Sequence, residues 1–397
     1  MEGSKYMSQP VQKLQVQDVC RVAILQRVCT GYRKGLFQKI SENENITLRV
    51  FIGDDIPNSK VKSTQDLTGI DVVKLPTKFI QVGRRIFVSH INLQQALNEF
   101  EPDVIICEGE SNLLSYLKAI IYKWQHPAVK LIHWSLGGLP GEKIDPQSIK
   151  AKVKSLLHKP FDCFIAYSSY GKTVLKKLGR SAEHIVVATN VSDTDYHLER
   201  SSQLKLTTEE AREQLGLPDR YTALYVGAID DNKRLGILVK AAEKLDRLQF
   251  NVVIVGDGEY LQEIKKEVES NNINNVYLPG RVSAELATYY RAADVFVLPG
   301  RGGMVISEAM AYGLPVIVFQ ADGTEYDLVE NNKTGVLLKT GSVDELAESI
   351  NKLSQDTQHA KEMGQKAQQQ VREQYNRAAM VSNIISAINI AATADKK

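Results

Sequence analysis

Short apolar runs alternate with stretches of helical spacing through most of this chain. CRVAILQRV (20–28), TLRVFIG (47–53), PDVIICEG (102–109), VKLIHWS (129–135), CFIAYSS (163–169) and HIVVATN (184–190) read as buried strands. YRKGLFQKI, LLSYLKAIIYKW and GKTVLKKLG, lying between them, have helical spacing. A polar segment over 193–220 breaks the pattern, which then restarts with YTALYVGAI (221–229), FNVVIVGDG (250–258), NVYLPGR (275–281), DVFVLPG (294–300) and GLPVIVF (313–319). Continuous apolar strands separated by helices predict parallel sheets covered on both faces. The chain therefore reads as α/β, with two Rossmann-like, doubly wound parallel-sheet domains facing a cleft. The expected boundaries are a disordered leader over 1–19, a first domain over 20–200 and a second over 201–373. A last helix over 374–392 puts Met380, Ile384 and Ile388 on one stripe, a packing face whose partner the spacing does not name.

Composition narrows the function classes. With 397 residues, 43% of them hydrophobic, both domains can bury a sizeable core. No apolar run reaches the length of a membrane span, and the polar first residues lack the apolar stretch of a signal peptide. Cys20, Cys29, Cys107 and Cys163 show no Cys-x-x-Cys spacing, and the seven histidines form no His-x-x-x-His pair. No metal is expected, and a reducing cytoplasmic location is. Residues 1–200 hold 27 basic against 20 acidic side chains, and the rest 22 against 27. That bias is too mild for a nucleic-acid partner, yet compatible with an anionic substrate or surface.

The chemistry concentrates in the second half. Gly227, the Gly256-Asp257-Gly258 turn, Gly280-Arg281 and the turn Gly300-Arg301-Gly302-Gly303 each follow a predicted strand. Glycines at carboxyl ends of strands let backbone approach a ligand closely, and ligands of doubly wound sheets bind there. Neither a G-x-G-x-x-G after the first strand nor a G-x-x-x-x-G-K-[ST] is present, which weakens dinucleotide oxidoreductase and P-loop readings. Gly302 and Gly303, opening a helix, can offer amides to a phosphate. Lys233 can add charge from another strand end. Glu308 is either a partner for a ribose diol or a solvated helix residue.

These motifs in this order, from YVGAIDDNKRLGILVKAAEKL through VVIVGDGEYLQEI, SEAMAYGLPVIVF and ENNKTGVLL, resemble the donor half of retaining glycosyltransferases of family four, the group 1 transferases. The resemblance runs from about Tyr221 to Ile350 and is looser in the first half. It implies a GT-B fold with the last helix crossing back to the first domain. It further implies sugar transfer from a UDP- or GDP-sugar to a glycan or lipid-linked glycan acceptor, with retained configuration and no metal. On that reading Lys233 meets the donor diphosphate and Glu308 the ribose. Gly302, Gly303 and Met304 face sugar and phosphate, and Arg281 and Val282 lie against the base. His133 corresponds to a family histidine near the phosphate, or is a core histidine. Two positions depart from the family pattern. Gly300 stands where the first acid of a Glu-x7-Glu motif is expected, and Ala228 where an arginine is. Either Arg301 or Arg234 substitutes for that cation, or the chain is a catalytically inactive, transferase-like binding partner. A GT-B epimerase is disfavoured by the second half.

The acceptor side carries weaker signals. Arg27, Tyr32 and Arg33 follow the first strand, and Glu108 and Glu110 follow the third of the strands predicted in the first domain. Each is an acceptor contact or ordinary turn polarity. PQSIKAKVKSLLHKPF (146–161) spaces Ile149, Val153, Leu156 and Leu157 among lysines. It reads as a packing helix or as a peripheral contact with an anionic membrane through 146–159.

Overall fold

The computed structural model describes residues 19–56, 62–83, 85–109, 112–142 and 145–394. The expected leader, apart from Val19, and the acceptor candidate Glu110 lie outside the described residues. Seven parallel strands form the first sheet: β1 (Cys20–Leu25), β2 (Ile46–Ile52), β3 (Val72–Lys74), β6 (Val104–Glu108), β7 (Lys130–Ser135), β8 (Cys163–Ala166) and β9 (Ile185–Val187). Between β3 and β6, β4 (Thr77–Val82) and β5 (Arg85–His90) make an antiparallel hairpin. The second sheet holds β10 (Tyr221–Val226), β11 (Phe250–Val255), β12 (Val276–Gly280), β13 (Val295–Leu298), β14 (Val316–Val318) and β15 (Gly335–Leu337).

Strand orders are β3-β2-β1-β6-β7-β8-β9 and β12-β11-β10-β13-β14-β15. In each, order reverses beside the domain's first strand, between β1 and β6 and between β10 and β13, which opens a crevice at the carboxyl ends. All eleven strands expected from apolar runs are present. Of the others, β3 and β15 are three residues long, β4 carries exposed side chains such as Val82, and the apolar run of β5, Ile86 to Val88, is only three residues.

Side chains along β1 alternate between faces, as a pleated strand requires. Ala23 and Leu25 face helices Leu93–Phe100 and Leu113–Gln125, while Val22 and Ile24 face the opposite layer. That layer contains helix Gly31–Ser41 and the last helix, Arg377–Thr393, which packs across β7, β8 and β9. Met380, Ile384 and Ile388 are all buried there. The helix is anchored by an ion pair from Arg377 to Asp193, and by the Arg377 N–H donating to Thr194 Oγ1 at 3.0 Å.

Helix Thr194–Gln203 spans the expected boundary at 200, yet it packs against helix Gly303–Ala311 of the second domain. The chain therefore passes between domains before it, just after β9. The carboxyl edges of the two sheets face each other. Asp327 Oδ2 accepts the Ser169 N–H at 2.9 Å and the Thr189 hydroxyl at 3.1 Å, joining the β14 side to segments after β8 and β9. Ser192 N–H donates to Ser307 Oγ at 3.0 Å, and Tyr170 stacks on Tyr326 with centroids 5.8 Å apart.

Candidate active site

The segment after β10, residues 227–234, is the spine of the second domain's carboxyl edge. The Gly227 carbonyl lies 1.8 Å from where a Cβ on Gly256 would stand, and Gly256 itself has φ 154°. Only glycine allows the β10 and β11 turns to meet there. Further along, the Asn232 carbonyl accepts the Arg301 N–H at 2.9 Å and lies 2.2 Å from a hypothetical Cβ on Gly300. The absence of an acid at 300 thus has a packing cause: any side chain would strike the backbone of Asn232 and Lys233.

That close approach delivers Lys233 to the turn. Its Nζ donates to the Arg301 carbonyl and lies beside Gly302. Burial lowers the Lys233 pKa, and Asp230 and Asp322 pull it back up. The amides behave differently from the expectation of an open phosphate cradle. The Gly303 N–H at the helix start already donates to Asp322 Oδ2 at 3.1 Å. Asp322, from the segment after β14, is a site residue the sequence reading missed. Nothing in its spacing brings residue 322 next to 303.

Glu308 sits one and a half turns into the same helix, with 16% of its side chain exposed. It lies near Tyr290 and Tyr312, and its Oε2 is 3.7 Å from His197 Nε2. Burial pushes Glu308 up to about 7 and His197 down to about 4. Between those values both groups are neutral, so the contact is not an ion pair. Of the other expected donor contacts, Asp257, Arg281 and Arg301 are exposed and Val282 and Met304 half-buried around this edge. Ala228 is exposed too, its carbonyl accepting the Tyr225 hydroxyl at 2.6 Å. Arg234 stands at φ 53° with its guanidinium 4.8 Å over the Phe319 ring.

Across the cleft, the structure joins two of the expected acceptor residues. Arg33 Nη2 donates to Glu108 Oε1 at 2.7 Å and to the Tyr167 hydroxyl at 2.9 Å, and that hydroxyl also donates to Glu108. The guanidinium rests 4.3 Å over Trp134 and 5.4 Å from the exposed Tyr32 ring, a cation–π arrangement. Arg33 is thus buried and neutralised rather than offered to an acceptor. Arg27 is half-buried nearby in sequence, after β1.

His133 does not belong to the site. Its ring is 1% exposed and packed among Tyr116, His158, Phe161 and Phe164, and burial drives its pKa down to about 3. It points off the sheet face into the core. Helix Ile149–His158 buries Ala151 and His158 and leaves Ile149, Val153 and Leu156 exposed, so only part of its apolar side packs.

Residues 207–370 match the family described as glycosyl transferases group 1. The second domain is a group 1 glycosyltransferase domain. Across 94% of the chain, the fold of this glycosyltransferase-domain protein superposes on all of Anabaena HepE, solved in complex with UDP, with a TM-score of 0.71 at 20% identity. Sucrose-phosphate synthase from Thermosynechococcus elongatus gives a TM-score of 0.68 over 93% of the chain and 98% of its own, also at 20% identity. Both likenesses establish the GT-B fold.

Sequence relatives include the sulfoquinovosyl transferase of Arabidopsis thaliana, 29% identical over 45% of the chain, and the alpha-monoglucosyldiacylglycerol synthase of Streptococcus pneumoniae, 29% identical over 50%. A GDP-mannose-dependent phosphatidylinositol monomannoside mannosyltransferase of Mycobacterium tuberculosis is 32% identical over 39%. The matched stretches span 36%, 46% and 44% of those relatives' own lengths, less than half of each.

Proposed function

We propose that this protein transfers a sugar from a nucleotide-sugar to a glycan or lipid-linked glycan acceptor, with retained configuration and without a metal. The observation carrying this reading is the convergence of Lys233, the turn Gly300–Gly303 and Glu308 at one carboxyl edge facing the first domain. In this reading Lys233 neutralises charge growing on the departing diphosphate, the leaving group takes the acceptor proton on the same face, and the protein contributes positioning and electrostatics. Glu308 serves the ribose. Relatives named for transfer to diacylglycerol and phosphatidylinositol acceptors favour a lipid-linked acceptor.

The exposed Ile149, Val153 and Leu156 support peripheral contact with an anionic membrane, since Lys152, Lys159 and Lys177 line a shallow recess of about 510 Å³ beside them. No helix among the described residues is long and apolar enough to cross a membrane. An Ile149→Ser/Leu156→Ser variant should lose co-sedimentation with vesicles of anionic phospholipid while melting within a few degrees of wild type. Undiminished vesicle binding would remove this helix from the reading.

The activity is tested by calorimetric titration with UDP- and GDP-sugars while free nucleotide is followed in the same samples. Binding with slow nucleotide release is the expected result. Absence of binding to both donor classes would overturn it, and binding without release even with lipid acceptors would favour the inactive-partner alternative.

A further inference from the structure

Asp322 changes what can occupy the start of helix Gly303–Ala311. Its carboxylate is fixed from three sides. Oδ2 accepts the Gly303 N–H at 3.1 Å, and Oδ1 accepts the Thr324 N–H at 3.1 Å and the Thr324 hydroxyl at 2.5 Å. The loop holding it is itself clamped by the buried Glu325, which accepts the Ala321 N–H at 3.0 Å and the Gly323 N–H at 2.9 Å. Beyond Asp322 the loop meets the first domain, with a Cβ on Gly323 reaching 2.8 Å from Ser168 Oγ. Asp322 is therefore held at the cleft, half-buried, and not free to swing aside.

A helix start normally favours an anion, but here the anion is already supplied by the protein. A phosphate brought to the same amide would face a fixed carboxylate at short range, a like-charge contact that disfavours both ionised forms. A hydroxyl would instead donate to that carboxylate, and charge-assisted hydrogen bonds of this kind are the strong ones. A carboxylate offers about four acceptor positions, and three are taken, which leaves room for roughly one more donor. Lys233, whose Nζ lies beside Gly302, is a cation at hand and the natural seat for negative charge.

We propose that Asp322 reads a hydroxyl of the donor sugar, and that the diphosphate lies toward Lys233 rather than on the Gly303 amide. This inference rests on the nucleotide-sugar reading and assigns the two ends of the donor to two sides of Gly302–Gly303. It also supplies an acid to the site from a second loop, in a chain whose packing forbids one at 300.

The test compares each bare nucleotide with its sugar conjugate, UDP against UDP-glucose and GDP against GDP-mannose, by calorimetry on wild type and Asp322→Asn. Asparagine retains an acceptor for the Gly303 N–H, and a melting curve checks that the fold is kept. The expected result is a roughly tenfold or greater loss of affinity for the conjugate that wild type prefers, with the bare nucleotide unchanged or tighter. A Thr324→Val variant, which frees one side of the carboxylate, should show a smaller loss of the same kind. An unchanged ratio of conjugate to nucleotide affinity, or an equal fall in both, would make Asp322 a purely structural cap and overturn the proposal. Wild-type protein that bound neither UDP nor GDP would instead refute the donor reading itself, and this inference with it.

Discussion

At the carboxyl edge of the first sheet, Arg33 and Tyr167 both donate to Glu108 beside Trp134 and the exposed Tyr32. At the facing edge of the second sheet, half-buried Lys233 donates to a backbone carbonyl, with Asp230 and Asp322 nearby. Both edges carry a basic side chain at a topological crevice, but only one keeps its charge available. A buried, paired cation stabilises through its partner and contributes little to a ligand. A half-buried lysine on a glycine turn is costly to the fold and useful to an anion.

Breaking each arrangement should therefore produce opposite signatures. The largest effect is expected from Glu108→Ala, which leaves the buried Arg33 guanidinium without its carboxylate. A loss of about 3–5 kcal/mol in denaturant unfolding is expected, since an uncompensated buried charge is left behind. The double change Arg33→Met/Glu108→Leu should recover most of it. A double variant as unstable as the single would mean that the pair is not self-contained.

Next comes Lys233→Ala, with turnover falling roughly 10²- to 10³-fold, as for removal of one transition-state stabiliser. Its unfolding midpoint should stay at or above that of wild type, because a partly desolvated ammonium is removed. Full transferase activity in folded Lys233→Ala protein would end the proposed role.

The smallest effect concerns Glu308 and sharpens the comparison through pH. Its folded pKa, about 7, exceeds its ordinary 4.5, so between those values the folded protein keeps a proton that the unfolded chain has released. Stability is then greatest below 4.5 and declines as pH rises through 7. Glu308→Gln should consequently gain up to about 3 kcal/mol over wild type at pH 8, with no gain near pH 4. A gain of equal size at both pH values would show that packing, not ionisation, is responsible.

The contrast also explains what the sequence made legible. Strands of the second domain and their glycine turns are local signals, so β10 to β14, the turn at Gly300 and Lys233 can be located from the order of residues alone. Even the missing acid at 300 is visible there, although its cause, the Asn232 carbonyl, is not. Partners set by tertiary approach leave no such trace. Tyr167 and Glu108 are far apart along the chain, as are Asp322 and Gly303, and neither pairing has a spacing to betray it. His133 illustrates the converse. Its position at the end of a strand fits a functional role, but the pleat turns its ring into the core among Phe161 and Phe164. The short β3 and β15 and the exposed β4 escape for lack of a buried apolar run, and β5 because its run, Ile86 to Val88, is only three residues.

The last helix sets a timetable for making this molecule. Its side chains Met380, Ile384 and Ile388 cover β7, β8 and β9, the last of which is made about 190 residues earlier. At a synthesis rate of about 5–20 residues per second, that interval lasts roughly 10–40 s. By its end the second domain can close its own core, while the first waits with its apolar face over β7, β8 and β9 uncovered. The domain translated first is thus the one finished last, and its bare face is where a nascent-chain chaperone would find work.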